Sequence, residues 1–233
     1  MAPKVWSNFV AKKSDGTQVK VRIEDMPSNR LDEVLNLLSL YGENEDVFVK
    51  LLGIPNNPEA AEELKQTTRD MLSASPHNIV ICRPDDDSNG DIIGVSITGI
   101  TLAKDKLEDF KIPSKTKEME KLWDYYIKLF GLYDICKANS LTSFSDDRGL
   151  AVKPGYVDFE IRKELLNVGR KISKANNVST VFAWMQTKLA QEAAEADGWL
   201  TAYEISREDL GRQLGITISE GPPSWKLMYG KSI

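Results

Sequence analysis

Histidine is all but missing from this 233-residue chain, with His77 as the only one. A zinc site or a triad built on imidazole therefore has almost nothing to draw on. Cysteine is scarce too, and Cys82 and Cys136 each sit among apolar neighbours. Two such thiols predict buried, reduced side chains rather than a disulfide framework. There is no basic excess: 30 Lys and Arg face 35 Asp and Glu, a net charge of −5. A generic grip on nucleic acid needs a concentrated cationic face, so that class is excluded. Long apolar runs are also lacking, which removes a membrane span and a signal segment from the expectations and leaves the cytosol as the expected compartment. No internal repeat or low-complexity tract stands out.

What is there is an ordinary globular composition, 41% hydrophobic and 28% charged. At this length the expectation is one domain covering 1–233. Val5 to Val10 and Gln18 to Ile23 read as strands joined by a Ser14-Asp15-Gly16 turn. Leu31, Val34, Leu35 and Leu38 recur at helical spacing up to Gly42, and a short helix is expected over Asp46 to Leu52. Pro58 opens a third helix with acids in its first turn. Asn78 to Arg83 and Ile92 to Leu102 read as an antiparallel pair joined by Asn89-Gly90.

Beyond Pro113 a strong helical stripe carries Met119, Leu122, Trp123, Tyr126, Ile127 and Phe130, and reads as core. Leu150 to Val152 and Val178 to Trp184 read as strands, with a helix running from Val157 to Asn176 between them. Lys188 to Ala196 is helical, and Trp199 to Ile205 and Trp225 to Tyr229 close the chain as strands around a polar insertion ending at Gly221-Pro222-Pro223. Alternating helices and strands, with hairpins at both ends, predict an α/β protein: a mixed, mostly antiparallel sheet with helices on both faces.

The strand-loop-helix at Leu150 to Asn176 carries the functional signal. Free backbone N–H groups at a helix N-terminus hold pyrophosphates well. The side chains there are unusual for that task, because Val157-Asp158-Phe159-Glu160-Ile161-Arg162 brings two acids and no glycine. Acids in a first helical turn also satisfy the helix dipole themselves.

The order of elements resembles the GNAT acetyltransferases, and local wording resembles the insect arylalkylamine N-acetyltransferase branch. The resembling stretches are Ile23-Glu24-Asp25-Met26, Leu132 to Cys136, Asp147 to Val152, Ala193 to Trp199 and Lys226-Leu227-Met228. The resemblance spans nearly the whole chain. It implies a splayed strand pair holding the pantetheine arm of acetyl-CoA, and direct acetyl transfer to a small primary amine of arylalkylamine, agmatine or polyamine type. By the same resemblance the general base falls on Glu45, with Glu43 as the fallback. The cofactor contacts fall on Leu150, Ala151 and Val152, on the loop Val157, Asp158, Phe159, Glu160, Ile161 and Arg162, and on Lys188.

The family pattern of Gln or Arg, two residues, Gly, one residue, then Gly or Ala meets Val157, Glu160 and Arg162 here and fails at all three. A Cβ at these positions crowds phosphate against backbone. The serine proposed in that branch to protonate the leaving thiolate is Ala190, and the tyrosine of other GNAT proteins meets Ala193 and Ala194. Water, Tyr203 or a group on the substrate are the substitutes left. The second reading is a paralogue that kept the fold and lost the chemistry, acting as a binding or scaffolding protein. Trp6, Phe9, Tyr41, Phe48 and Phe182 are candidates for an aromatic pocket, with a core position as the plainer reading of each. The amine and the oligomeric state stay open.

Overall fold

The computed structural model describes residues 3–42, 45–74, 77–86 and 90–233. Its strands are β1 (Val5–Lys12), β2 (Gln18–Asp25), β3 (Asn78–Pro84), β4 (Gly94–Leu102), β5 (Ser143–Val152), β6 (Thr180–Met185), β7 (Leu200–Ser206) and β8 (Ser224–Lys231). They make one sheet in the order β1-β2-β3-β4-β5-β6-β8-β7, and every pairing is antiparallel except β5 with β6. The helices are α1 (Leu31–Leu37), α2 (Val47–Leu51), α3 (Pro58–Ala74), α4 (Lys117–Gly131), α5 (Ile135–Asn139), α6 (Asp158–Ala175), α7 (Lys188–Ala196) and α8 (Arg207–Leu214). A π-helical turn, Leu38–Gly42, continues α1.

Both faces of the sheet are covered, as the composition of its strands requires. On one face Ile161, Leu165, Val168 and Ile172 of α6 pack on Ala11, Val21, Ile23, Val80 and Cys82. A Cβ on Gly94 would stand 3.1 Å from Ile161 Cγ2, so α6 lies nearly on the β4 backbone. On the other face Val34 and Leu37 of α1, with Leu72 of α3, meet Ile81, Val95, Ile97 and Ala151. A third cluster gathers Phe48, Met119, Leu122, Leu129, Leu210 and Leu214 around the fully buried Trp225.

Four expectations need correction. The strand expected at Leu150 to Val152 begins seven residues earlier, at Ser143. Ser-Asp-Asp-Arg-Gly is poor strand sequence on propensity alone. Tertiary partners rescue it: Ser145 Oγ meets Ser173 Oγ at 2.7 Å, and Asp146 pairs with Arg148 at 2.8 Å. The polar insertion before Gly221 contains α8, which has only two apolar anchors in two turns. Its start is marked by the Ser206 hydroxyl accepting the Asp209 N–H at 3.0 Å, and its end by Gly215 at φ 71°. Cys136, expected to be buried, is only partly so, whereas Cys82 is sealed in the core. The strand expected from Ile92 starts at Gly94, and Asn89 of the expected Asn-Gly turn lies outside the described residues.

The feature that positions a site is the parting of β5 and β6. They pair only at Ser145↔Val181 and Asp146↔Phe182. Immediately beyond, β5 carries a bulge: Ile97 faces Gly149 and Thr98 faces Asp147, leaving Arg148 as the extra residue. A bulge bends its strand and increases the local twist. Gly149 sits at φ 149°, a backbone state that side-chained residues rarely adopt. Each arm then keeps its outer neighbour, β5 with β4 as far as Val152 and β6 with β8 as far as Met185. The expected splayed pair is therefore present, and its cause is local to Arg148 and Gly149.

Candidate active site

A cavity of about 310 Å³ fills the parting. Its walls come from the β5 bulge (Asp147 to Leu150), the end of β6 and the turn after it (Trp184 to Thr187), the first turns of α6 (Arg162, Leu166), and Glu45 and Asp46 before α2. Trp123, Tyr126 and Phe130 of α4 close the far side, with Thr67 and Met71 of α3. Three carboxylates thus line one space, and each is engaged differently.

Asp46 is fully employed. It caps α2 by accepting the N–H groups of Phe48 at 2.8 Å and Val49 at 3.0 Å. It also accepts the Tyr126 hydroxyl at 2.7 Å and Gln186 Nε2 at 3.4 Å. These bonds tie α2, α4 and the end of β6 together at the cavity wall.

Glu45 reaches across the parting to Arg162, with Oε2 2.8 Å from Nη2. Arg162 also donates from Nε and Nη2 to the two oxygens of Asp158, at 2.8 and 3.0 Å. Burial pushes the Glu45 carboxyl above its usual value; Arg162 works against this and Asp158 adds to it. Burial outweighs the pairing, and the one guanidinium is shared with Asp158. Burial also opposes the charge on Arg162, but Asp158 and Glu45 outweigh it and hold the guanidinium above its ordinary value.

Asp147 is the least engaged of the three. Among the described residues its only hydrogen-bond donor is the Gly149 N–H, at 3.1 Å. Its surface is open to the cavity while protein surrounds it closely, so it is accessible yet poorly solvated. That desolvation pushes its pKa up to about 6, and neighbouring Asp146 pushes in the same direction. Asp146 itself pairs with Arg148, whose side chain crosses β4 at Gly99 and donates to Thr101 at 3.2 Å. A Cβ on Gly99 would lie 2.9 Å from Arg148 Nε, so only glycine leaves room for that crossing.

The remaining expected site residues divide by face. Leu150 and Arg162 line the cavity together with Glu45. Ala151, Val152 and Ile161 are buried in the two cores flanking the sheet, and Phe159 packs against the Leu166–Trp199 cluster. Val157 is exposed and caps α6 without any side-chain hydrogen bond. Asp158 and Glu160 occupy the first turn of α6. Lys188 points to solvent, 3.5 Å from Glu192. Glu43 lies outside the described residues. Ala190, at the position of the expected acid, does line the cavity, whereas Tyr203 packs with Tyr133 and Trp184 away from it.

The aromatic lining was missed by periodicity. Trp6, Phe9, Tyr41, Phe48 and Phe182 belong to the cores. The cavity instead takes Trp123, Tyr126 and Phe130, part of a helical stripe that reads as core throughout. Tyr126 and Phe130 stack with centroids 5.9 Å apart, and Phe130 remains 42% exposed. Trp123, Tyr126 and Phe130 stand at i, i+3 and i+7, the spacing of a single helix face, which is why they read as core. Among the described residues no group of three or more His, Cys, Asp or Glu could hold a metal ion, and no helix is long and apolar enough to cross a membrane.

No family model and no curated protein matches the sequence. Solved structures do match in three dimensions. A protein of the yellow fever mosquito Aedes aegypti named arylalkylamine N-acetyltransferase 7 aligns over 100% of this chain and 97% of its own, with a TM-score of 0.86 and 19% identity. Arylalkylamine N-acetyltransferase 2 of the same mosquito aligns over 91% and 99%, at TM-score 0.71 and 18% identity. A Drosophila melanogaster polyamine N-acetyltransferase aligns over 90% and 97%, at TM-score 0.64 and 11% identity. The chain has the GNAT fold.

Proposed function

We propose that this protein transfers an acetyl group from acetyl-CoA directly to a small primary amine of the arylalkylamine, agmatine or polyamine kind. The observation that carries the reading is the 310 Å³ cavity at the parting of β5 and β6, lined by carboxylates and aromatic rings. An ammonium group suits such a lining, because carboxylates attract it and the faces of Trp123 and Tyr126 stabilise a cation. The names of the structural neighbours point the same way.

The fit to acetyl-CoA is uneven along its length. The inner edges of β5 and β6 beyond Asp146 and Phe182 leave backbone amide groups unpaired across the slot, matching the amides of a pantetheine arm. The first N–H groups of α6 have no intrahelical partner and no side-chain cap, so they remain for a phosphate. Against this, Asp158 and Glu160 bring negative charge to the same turn, and the Val157 N–H is already given to the Lys12 carbonyl at 2.8 Å. The expected consequence is weak nucleotide binding rather than none. Positioning of the two reactants supplies most of the rate gain in such a transfer, and no nucleophilic side chain is required.

A second reading keeps a foothold in one observation, the Glu45–Arg162–Asp158 cluster spanning the slot. A binding protein without turnover would tolerate that bridge, while an acetyltransferase must work around it. One experiment separates the two. Millimolar acetyl-CoA should raise the melting temperature and give calorimetric heat, and thiol should appear when an arylalkylamine, agmatine or a polyamine is added. Absence of both heat and thermal shift would remove the transferase reading.

A further inference from the structure

We infer that Asp147 is the catalytic base that takes the proton from the incoming ammonium, an assignment that rests on the acetyltransferase reading above. The three cavity carboxylates differ in what each is free to do. Asp46 already accepts four hydrogen bonds and holds the start of α2. Using it as a base would uncap that helix. Glu45 is ion-paired through Oε2 to Arg162 at 2.8 Å, and the guanidinium opposes its taking up a proton. Asp147 accepts one backbone N–H through Oδ1, and Oδ2 has no partner among the described residues.

Location favours Asp147 as well. It is the first residue of β5 beyond the last pairing with β6, Asp146↔Phe182, and one residue before the bulge. A thioester laid along the free edge of β5 brings its carbonyl close to this point, with an amine arriving from the α4 side. The charges acting on Asp147 are Asp146 and Arg148 on β5 and Arg162 on α6, while Glu45 and Asp46 before α2 and Tyr126 on α4 line the same cavity and Asp158 pairs with Arg162. Their balance leaves the group ionised at neutral pH and able to bind a proton slightly below it, the range in which a general base works well.

Asp147 takes one proton from the ammonium, and the freed nitrogen lone pair attacks the thioester carbonyl carbon. The C–N bond forms, the C–S bond breaks, and the electron pair leaves on sulfur. The second proton on nitrogen goes to the thiolate, and Asp147 releases its proton to solvent. This route asks for no separate acid at Ala190.

The test compares Asp147→Asn with Glu45→Gln by thiol release, following kcat, KM and the pH profile of kcat/KM. Asparagine keeps the size of Asp147 and its bond from the Gly149 N–H. The expected result is a fall in kcat of about 10²–10⁴-fold with little change in KM, and loss of the acidic limb with its inflection near pH 6. Glu45→Gln should change amine KM and retain that limb. Retention by Asp147→Asn of both the limb and a kcat within threefold of the unaltered protein overturns the assignment and leaves the transferase reading intact. If the unaltered protein binds no acetyl-CoA and releases no thiol with any amine, the transferase reading falls and this assignment with it.

Discussion

Two of the guanidinium–carboxylate clusters inside this molecule differ in what stands beside them. Glu24 of β2 meets Arg83 of β3 at 2.7 Å and Arg22 at 2.9 Å, with the Glu24 and Arg83 side chains only 4% and 3% exposed. Protein closes around that pair on all sides, within a continuous β2–β3 register. Arg162 is nearly as buried at 6%, yet its partners Glu45 and Asp158 are 37% and 24% exposed and the cluster borders a cavity. The chemistry is shared; the access to water is not. A sealed pair fixes strand register, whereas a pair on a cavity wall can exchange partners with a ligand. Buried charge is therefore informative about function only when the space next to it is known.

The largest effect that tests this contrast is on stability. Glu24→Ala leaves two guanidinium groups without their shared carboxylate in the closed half of the sheet, and removing one partner of a buried pair costs about 3–5 kcal/mol. Arg162→Ala should cost less, about 1–3 kcal/mol, because Glu45 and Asp158 can hydrate from the cavity. Urea denaturation of both variants at pH 7 reads the difference. Equal losses would mean that the cavity does not relieve the Arg162 cluster, and the contrast would collapse.

A smaller effect concerns the mouth of the slot. Glu160→Gln removes one negative charge from the first turn of α6 while preserving shape. If the diphosphate of acetyl-CoA lies on that turn, affinity should rise roughly tenfold at low salt, about 1.4 kcal/mol. Added salt should shrink the gain, since screening acts on charges that solvent reaches and Glu160 is partly exposed. Calorimetry at two ionic strengths measures it. An unchanged affinity would place the diphosphate elsewhere and show that the acids at Asp158 and Glu160 serve only the helix dipole.

The same contrast explains what could be read from residues alone. Strands with alternating or continuous apolar residues, such as Val19 to Ile23 and Val178 to Trp184, declare themselves by local pattern, and so do α3, α4 and α6. The first half of β5 does not, because Ser143 to Gly149 is held in place by partners distant in sequence: Ser173, Thr101 and the strand β4. The bulge that opens the slot belongs to that half. The acidic helix start at Asp158 was visible, but the position of Arg162 against Glu45 joins residues 117 apart and leaves no local trace. Trp123, Tyr126 and Phe130 looked like core for the same reason: a helix stripe shows which face is apolar, not whether a packed side chain or an empty slot lies opposite.

The smallest expected effect sharpens the comparison at Asp147, a cavity-wall carboxylate with no ion pair among the described residues. Its pKa of about 6 in the folded protein lies above its ordinary value of 3.8, so the folded state binds this proton more tightly than the unfolded chain. Ionising the group therefore costs stability as pH rises from about 3.8 to about 6, and the cost is complete above that window. Asp147→Asn carries no charge to desolvate at any pH. It should melt higher than the unaltered protein at pH 7.5 and at nearly the same temperature at pH 3.5, where both side chains are neutral. The open side of the cavity lets water reach Asp147 and reduces the gain, so the difference should be a modest shift in melting temperature. A variant that melts lower at pH 7.5 would mean that the ionised carboxylate is stabilised by partners such as Arg148 and Arg162. The site would then be closer in kind to the sealed Glu24 pair than to an open one.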